Sequence, residues 1–255
     1  IFFLYDHFRR LLHSAKMLSM KTEFDEESLI QVTLDLLRTD NWKQDIYFRP
    51  TFYKADLGIG VRLHDIKDEF SIFVMAYEKY VKNDTSAHVT FSSWRRVDDN
   101  VIPARAKVAG AYVNSSLIKS DAVQSGFDEA LVLDHNGHVS EGSAMNIFMV
   151  RDGALVTPPI TDNILEGITR RTVIELARRE LGIDVVERSI DRTEVYIAEE
   201  MFFAGTAAGV TGITKVDHRP VGRGVMGPVT SQLRALVDDA VRAKLPKYEH
   251  WNVAV

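Results

Sequence analysis

Lys107 stands in the run Pro103-Ala-Arg-Ala-Lys107-Val-Ala-Gly-Ala-Tyr112, without the polar neighbours that usually accompany a surface lysine. An apolar setting depresses a lysine's pKa and suits it to nucleophilic Schiff-base chemistry. The plainer reading, a lysine that snorkels to water, is the commoner case. Gly167-Ile168-Thr169 opens an expected helix, where free amides and the helix dipole suit a phosphate; an ordinary capped helix start would read the same. Gly205-Thr206-Ala207-Ala208-Gly209 is small enough to let a ligand approach the main chain, and Thr206 adds a hydroxyl. A tight turn is its competing reading.

Two main-chain anion sites and one unusual lysine together fit a single cofactor, pyridoxal 5′-phosphate. That cofactor needs an acid for its ring nitrogen. Glu141, in Val139-Ser-Glu141-Gly, is the candidate, although by itself it passes as a surface glutamate.

Other patterns carry less. Gly222-x-Gly224-x-x-Gly227 matches the dinucleotide fingerprint in letters, but no strand–helix–strand unit surrounds it. It is read as a flexible connection into the last helix. Ser116-x-x-Lys119 lacks the partner motifs of a β-lactamase. His135 and His138 flank a tight turn with no carboxylate cluster beside them, so no metal is expected.

The chain of 255 residues is 45% hydrophobic and 26% charged, with a formal net charge of −5 and no Cys. Those values describe a globular protein large enough for one or two cores. The mild acidity argues against nucleic acid. Missing cysteine excludes disulfides, thiolate metal sites and a cysteine nucleophile. No apolar run is long enough to span a membrane, and the cytoplasm is the default compartment.

The elements that must position these residues follow from periodicity. Helices are expected over 7–20, 26–38, 169–181 and from Pro228 to about Lys244, with a helical segment after Lys107. Thr169 is the expected N-cap of the third, and Gly182 its stop. Strands are expected over 46–54, 70–77, 89–94 and 201–203. Hairpins are expected about Asn136-Gly137 and Asp152-Gly153. Ile1 to Tyr5 reads as the middle of a strand, as though the chain begins inside a fold. The mixture predicts an α+β architecture.

The sequence resembles the fold-type IV, or class IV, pyridoxal-phosphate aminotransferases, and most closely the branched-chain amino acid aminotransferases. The matching residues include Arg10 to Lys16, Tyr47-Phe-Arg49-Pro50, Ser93-Trp-Arg-Arg96 and Ala106-Lys107 through Tyr112. They continue with Ser140-Glu141-Gly142, Asn146-Ile-Phe148, Thr157-Pro-Pro159, Gly167-Ile-Thr-Arg170, Gly205-Thr-Ala-Ala208 and Gly227-Pro-Val-Thr230. The resemblance implies a two-domain, D-amino acid aminotransferase-like fold with the cofactor between the domains. The small domain would be 1–78, incomplete at its start, followed by a linker at 79–86 and a large cofactor-binding domain at 87–255.

The resemblance also implies roles. Lys107 would hold the cofactor as a Schiff base and shuttle the proton, Tyr112 would bond the cofactor's phenolic oxygen, and Glu141 would pair with the pyridine nitrogen. Arg10, the Ile168 and Thr169 main chain, and Thr206 would hold the phosphate. Tyr47, Arg49 and the Thr206-Ala207 turn would receive the substrate carboxylate. The implied reaction moves an amino group from a branched-chain L-amino acid to 2-oxoglutarate or another 2-oxo acid, in a homodimer or higher homo-oligomer. Gly209 and Gly212 stand where branched-chain members carry Glu and Pro, and they resemble the glycine-rich turn of (R)-amine transaminases. A D-amino acid or (R)-amine donor is therefore the alternative. An aminodeoxychorismate lyase or an inactive cofactor-binding remnant stands further off.

Overall fold

The computed structural model describes residues 1–40, 42–77 and 83–255. The chain divides into two compact units, Ile1–Glu78 with Pro246–Val255, and Lys79–Leu245. The sequence reading carried the second domain to 255, whereas the last ten residues pack with the first unit. Residues 79–82 of the expected linker lie outside the described residues. Asp84, within that expected linker, is tied into the second unit: its carbonyl accepts from Gly212 N at 3.0 Å and its carboxylate meets Arg234 at 2.8 Å.

In the first unit, helix α1 (Leu4–Met17) and helix α2 (Glu26–Asp40) are followed by a hairpin of β1 (Ile46–Lys54) and β2 (Asp68–Ala76), paired from Ile46↔Ala76 to Lys54↔Asp68. Leu4 and Phe8 of α1 and Leu29, Ile30 and Leu34 of α2 build its core, with Phe48, Phe52 and Phe70 of the strands against them. Asp25 and Ser28 exchange hydrogen bonds with each other's main chain at the start of α2, which satisfies two orphan amides. The opening is not a strand. Phe3, at φ +48°, turns the chain into α1, and Phe2 makes only a single bridge to Asn252. Its environment comes instead from the far end of the chain, where Phe3 N donates to Trp251 O at 2.6 Å and Val253 N to Ile1 O at 2.9 Å.

The second unit is a mixed sheet. Its elements are β3 (Ala87–Arg95), α3 (Tyr112–Gln124), β4 (Glu129–Leu133), β5 (Val139–Gly142), β6 (Asn146–Arg151), β7 (Ala154–Thr157), α4 (Ile168–Glu180), β8 (Val185–Glu187), β9 (Glu200–Gly205), β10 (Gly209–Val216), β11 (Arg219–Pro220) and α5 (Pro228–Val241). The strand order is β5-β4-β3-β10-β9-β6-β7-β8, with β11 beside β10. Central strands are buried on both faces and read as nearly continuous apolar runs. In β6, Ile147 and Met149 join Met201, Phe203 and Ile213 in one core. Phe148, on the opposite face, stacks on Phe202 at 5.0 Å. Helix α3 covers another stretch through Ile118 and Ala122 on Ala130 and Val132.

Candidate active site

Lys107 and Tyr112 are brought together by a tight local fold. Val108 N donates to Ala106 O at 2.9 Å, and Ala109–Ala111 form a short helical turn that leads into α3. Small side chains let that turn form without a clash. As a result Lys107 Nζ donates to Tyr112 Oη at 2.8 Å. The apolar sequence around Lys107 does not bury it, in keeping with the plainer reading of a lysine that reaches water; both side chains are exposed. The lysine is held by a phenolic oxygen rather than by desolvation.

Glu141 lies on β5 and is almost fully buried. Burial pushes its carboxyl above the usual carboxylate range, while the Arg96 charge, the Leu165 amide and Lys107 pull the other way. Arg96 Nη2 stands 2.7 Å from Oε1, and Oε2 accepts from Asn146 Nδ2 and Leu165 N, each at 3.2 Å. The side chain that seemed a surface glutamate is thus an enclosed acid with its acceptors in use.

Ile168 and Thr169 begin α4, where the first amides of a helix have no partner within it. Gly167 is the N-cap residue, not Thr169 as the sequence suggested, and no side chain caps it. A Cβ at Gly167 would collide with Oδ1 of Asn146. Asn146 Nδ2 also bonds Leu165 O at 2.9 Å, so this amide side chain braces the helix entrance.

The start of α5, in the same unit, is closed from inside. Glu200 accepts from Val229 N at 3.1 Å and from Thr230 N and Oγ1, each at 2.7 Å, at the N-terminus of α5. The glycine run before it is a packed turn rather than a flexible connection. Gly222 and Gly224 have φ of +51° and +73°, and a Cβ at Gly227 would enter the Glu200 carboxylate.

Thr206 and Ala207 form the turn between β9 and β10, which Gly205↔Gly209 closes; Thr206 is exposed. In the first unit, Arg10 lies on α1, with Nη2 at 3.5 Å from His7 Nδ1. Tyr47 and Arg49 share one face of β1, two residues apart, and the guanidinium donates to Tyr47 Oη at 3.4 Å and lies 5.5 Å from the Phe73 ring.

The model of the family described as "Amino-transferase class IV" matches residues 1–216. The chain belongs to the class IV aminotransferases. A probable branched-chain-amino-acid aminotransferase of Aquifex aeolicus (strain VF5) is 43% identical over 255 residues, covering 100% of this chain and 82% of that one. Branched-chain amino acid aminotransferase from Thermobaculum terrenum, in its PLP holo-form, superposes with a TM-score of 0.93 at 40% identity, covering 98% of this chain and 82% of that one. The branched-chain aminotransferase of Thermoproteus uzoniensis, with norvaline, also gives 0.93 at 40%, with the same coverage.

For this class IV aminotransferase, sequence reasoning had assigned no role to Arg96, Asn146 or Glu200. Arg96 and Asn146 lay inside quoted motifs, so the signal was present without a partner to interpret it. Glu200 left none, because the first amide it accepts from lies 29 residues further on.

Proposed function

We propose that this class IV aminotransferase is a pyridoxal-phosphate-dependent transaminase. In our reading it moves the amino group of a branched-chain L-amino acid to 2-oxoglutarate or another 2-oxo acid. The observation that carries the reading is the Lys107–Tyr112 hydrogen bond in the same unit as the enclosed Glu141 carboxylate. The unpartnered amides at the start of α4 fit a phosphate, and a buried acid fits a protonated ring nitrogen.

When bound, pyridoxal phosphate supplies an aldehyde that captures the amino group and an electron-poor ring that acidifies the α-carbon. The chain does the rest. Lys107 Nζ would carry the proton at the substrate α-carbon, a task suited to a flexible amine within reach of a second proton-bearing group. Tyr112 Oη orients that amine. Glu141, oriented by Arg96 and Asn146, would hold the proton of the ring nitrogen. The Ile168 and Thr169 amides would bind the phosphate, together with Thr206 and, on the resemblance, Arg10. The same resemblance assigns the substrate carboxylate to Tyr47, Arg49 and the Thr206-Ala207 turn, and Arg49 has the planar fork suited to it.

An amino-donor panel on the cofactor-loaded protein tests the reading. L-Leu, L-Ile and L-Val with 2-oxoglutarate should give L-glutamate. Turnover confined to (R)-amines or D-amino acids would overturn the substrate class, and pyruvate release without an amino acceptor would overturn transamination. The proposed assembly is a homodimer or higher homo-oligomer, checked by the mass in light scattering. Among the described residues no helix is long and apolar enough to cross a membrane; the cytoplasm is the proposed compartment, checked by cell fractionation.

A further inference from the structure

The turn between β4 and β5 brings Asp134 and His138 against the segment that leads into α4, where Asp162 joins them. One ligand atom of each lies within 4.8 Å of the other two. The turn supplies Asp134, and the fold supplies a second carboxylate, Asp162, from 24 residues beyond His138.

Asp134 and Asp162 are 1% and 6% exposed, while His138 is half-buried. Asp134 Oδ1 is aimed by the amides of Asn136 and His138, each at 2.9 Å. The Asp162 carbonyl is anchored by Ser140 Oγ at 2.6 Å. Its Oδ2, however, is enclosed without any hydrogen-bond partner. Arg95 reaches this turn, but its guanidinium goes to the carbonyls of Asp134 and His135 and not to the carboxylates. Asp191 adds a third carboxylate at the rim, 3.7 Å from His138 Nε2. A buried carboxylate oxygen with no donor, beside a second carboxylate, is unfavourable until a cation neutralises it.

We propose that Asp134, His138 and Asp162 bind one divalent transition-metal cation, zinc or manganese. Two carboxylate oxygens with one imidazole nitrogen suit those ions, whereas calcium and magnesium prefer all-oxygen sets. Ligand atoms about 2.0–2.2 Å from such an ion lie roughly 3–4 Å apart, and the three atoms here, all within 4.8 Å of one another, need to close by no more than about an ångström or two. Three protein ligands leave a position for water. The ion pins the β4–β5 turn to the segment entering α4, and its role is structural.

The test uses the full-length, cofactor-loaded protein after chelator treatment and dialysis. Zinc chloride is titrated by calorimetry, and manganese chloride is followed by loss of its free-ion electron paramagnetic resonance signal. One ion per chain and a melting midpoint raised by several degrees are expected. Asp162→Asn and, separately, His138→Gln should each weaken binding at least about tenfold. His138 is half-buried, so its variant keeps the fold even if the other does not. Absence of binding near one equivalent, or binding that the His138 variant leaves unchanged, overturns the proposal.

Discussion

Arg96 Nη2 lies 2.7 Å from Glu141 Oε1, and the two side chains are only 11% and 3% exposed. Removing one member of a buried pair leaves the other charge uncompensated, at about 3–5 kcal/mol. Arg96→Met should therefore lower unfolding stability by about that amount, read by urea titration of the cofactor-free protein. Adding Glu141→Leu should restore part of it. A loss below about 1 kcal/mol for the single variant would mean that water replaces the guanidinium.

Lys107 is exposed, and its replacement should leave the fold intact. Lys107→Ala is expected to keep its melting midpoint, because surface changes stay within about 0.5 kcal/mol. Turnover should drop by at least about 10²–10⁴-fold, the share of a lost acid–base group, and the lysine-linked cofactor absorbance should vanish. Retention of both absorbance and turnover would remove Lys107 from its assigned role.

Tyr112→Phe deletes only the hydroxyl that Lys107 donates to at 2.8 Å. A hydrogen bond to a charged group contributes about 1.5–3 kcal/mol, so kcat should fall roughly 10–150-fold. An unchanged kcat would show that the bond does not act on the amine.

Glu200→Ala should weaken α5 alone. Its carboxylate takes three donors at the helix start, and losing such a cap costs about 1–2 kcal/mol. Cofactor affinity, measured by fluorescence titration, should stay the same. A parallel loss of affinity would place the phosphate nearer α5 than α4.

His88 makes stability depend on mild acid. Burial first, then the charges of His218 and Lys215, hold its imidazole below the ordinary value. Its Nε2 accepts the His218 amide at 3.3 Å, which requires the neutral ring. The folded state therefore resists protonation more than the unfolded chain does, so this contribution is complete above about 6.5 and is lost as pH falls through the depressed pKa. Melting midpoints from pH 8 to 5 should decline, and His88→Gln should flatten the decline. An unflattened slope would assign it to other groups.

Much of the fold was legible because local rules acted alone. The strand over 46–54 and both hairpins follow from alternation and from Gly137 and Gly153 at φ of +90° and +76°. Where the reading failed, the deciding partner lay far along the chain. Ile1 to Tyr5 are shaped by residues near 251, and Gly167 replaces Thr169 as N-cap because Asn146 occupies the space a side chain would need. Lys107 and Glu141 were recognisable as chemistry, but the sequence left open whether each is buried or exposed. The lysine is in the open and the glutamate enclosed, because burial depends on how the sheet closes and not on neighbouring letters.

Asn146 bonds the Glu141 carboxylate with its amide nitrogen and the Leu165 carbonyl with the same atom, while its oxygen fills the place of a Cβ on Gly167. A single short side chain thus sets the span between an acid and a helix entrance. Lengthening or shortening it would reset both at once. The chain in this way carries its own gauge: the distance from the Glu141 carboxylate to the first turn of α4 is fixed by one side chain and not by the loop that joins them.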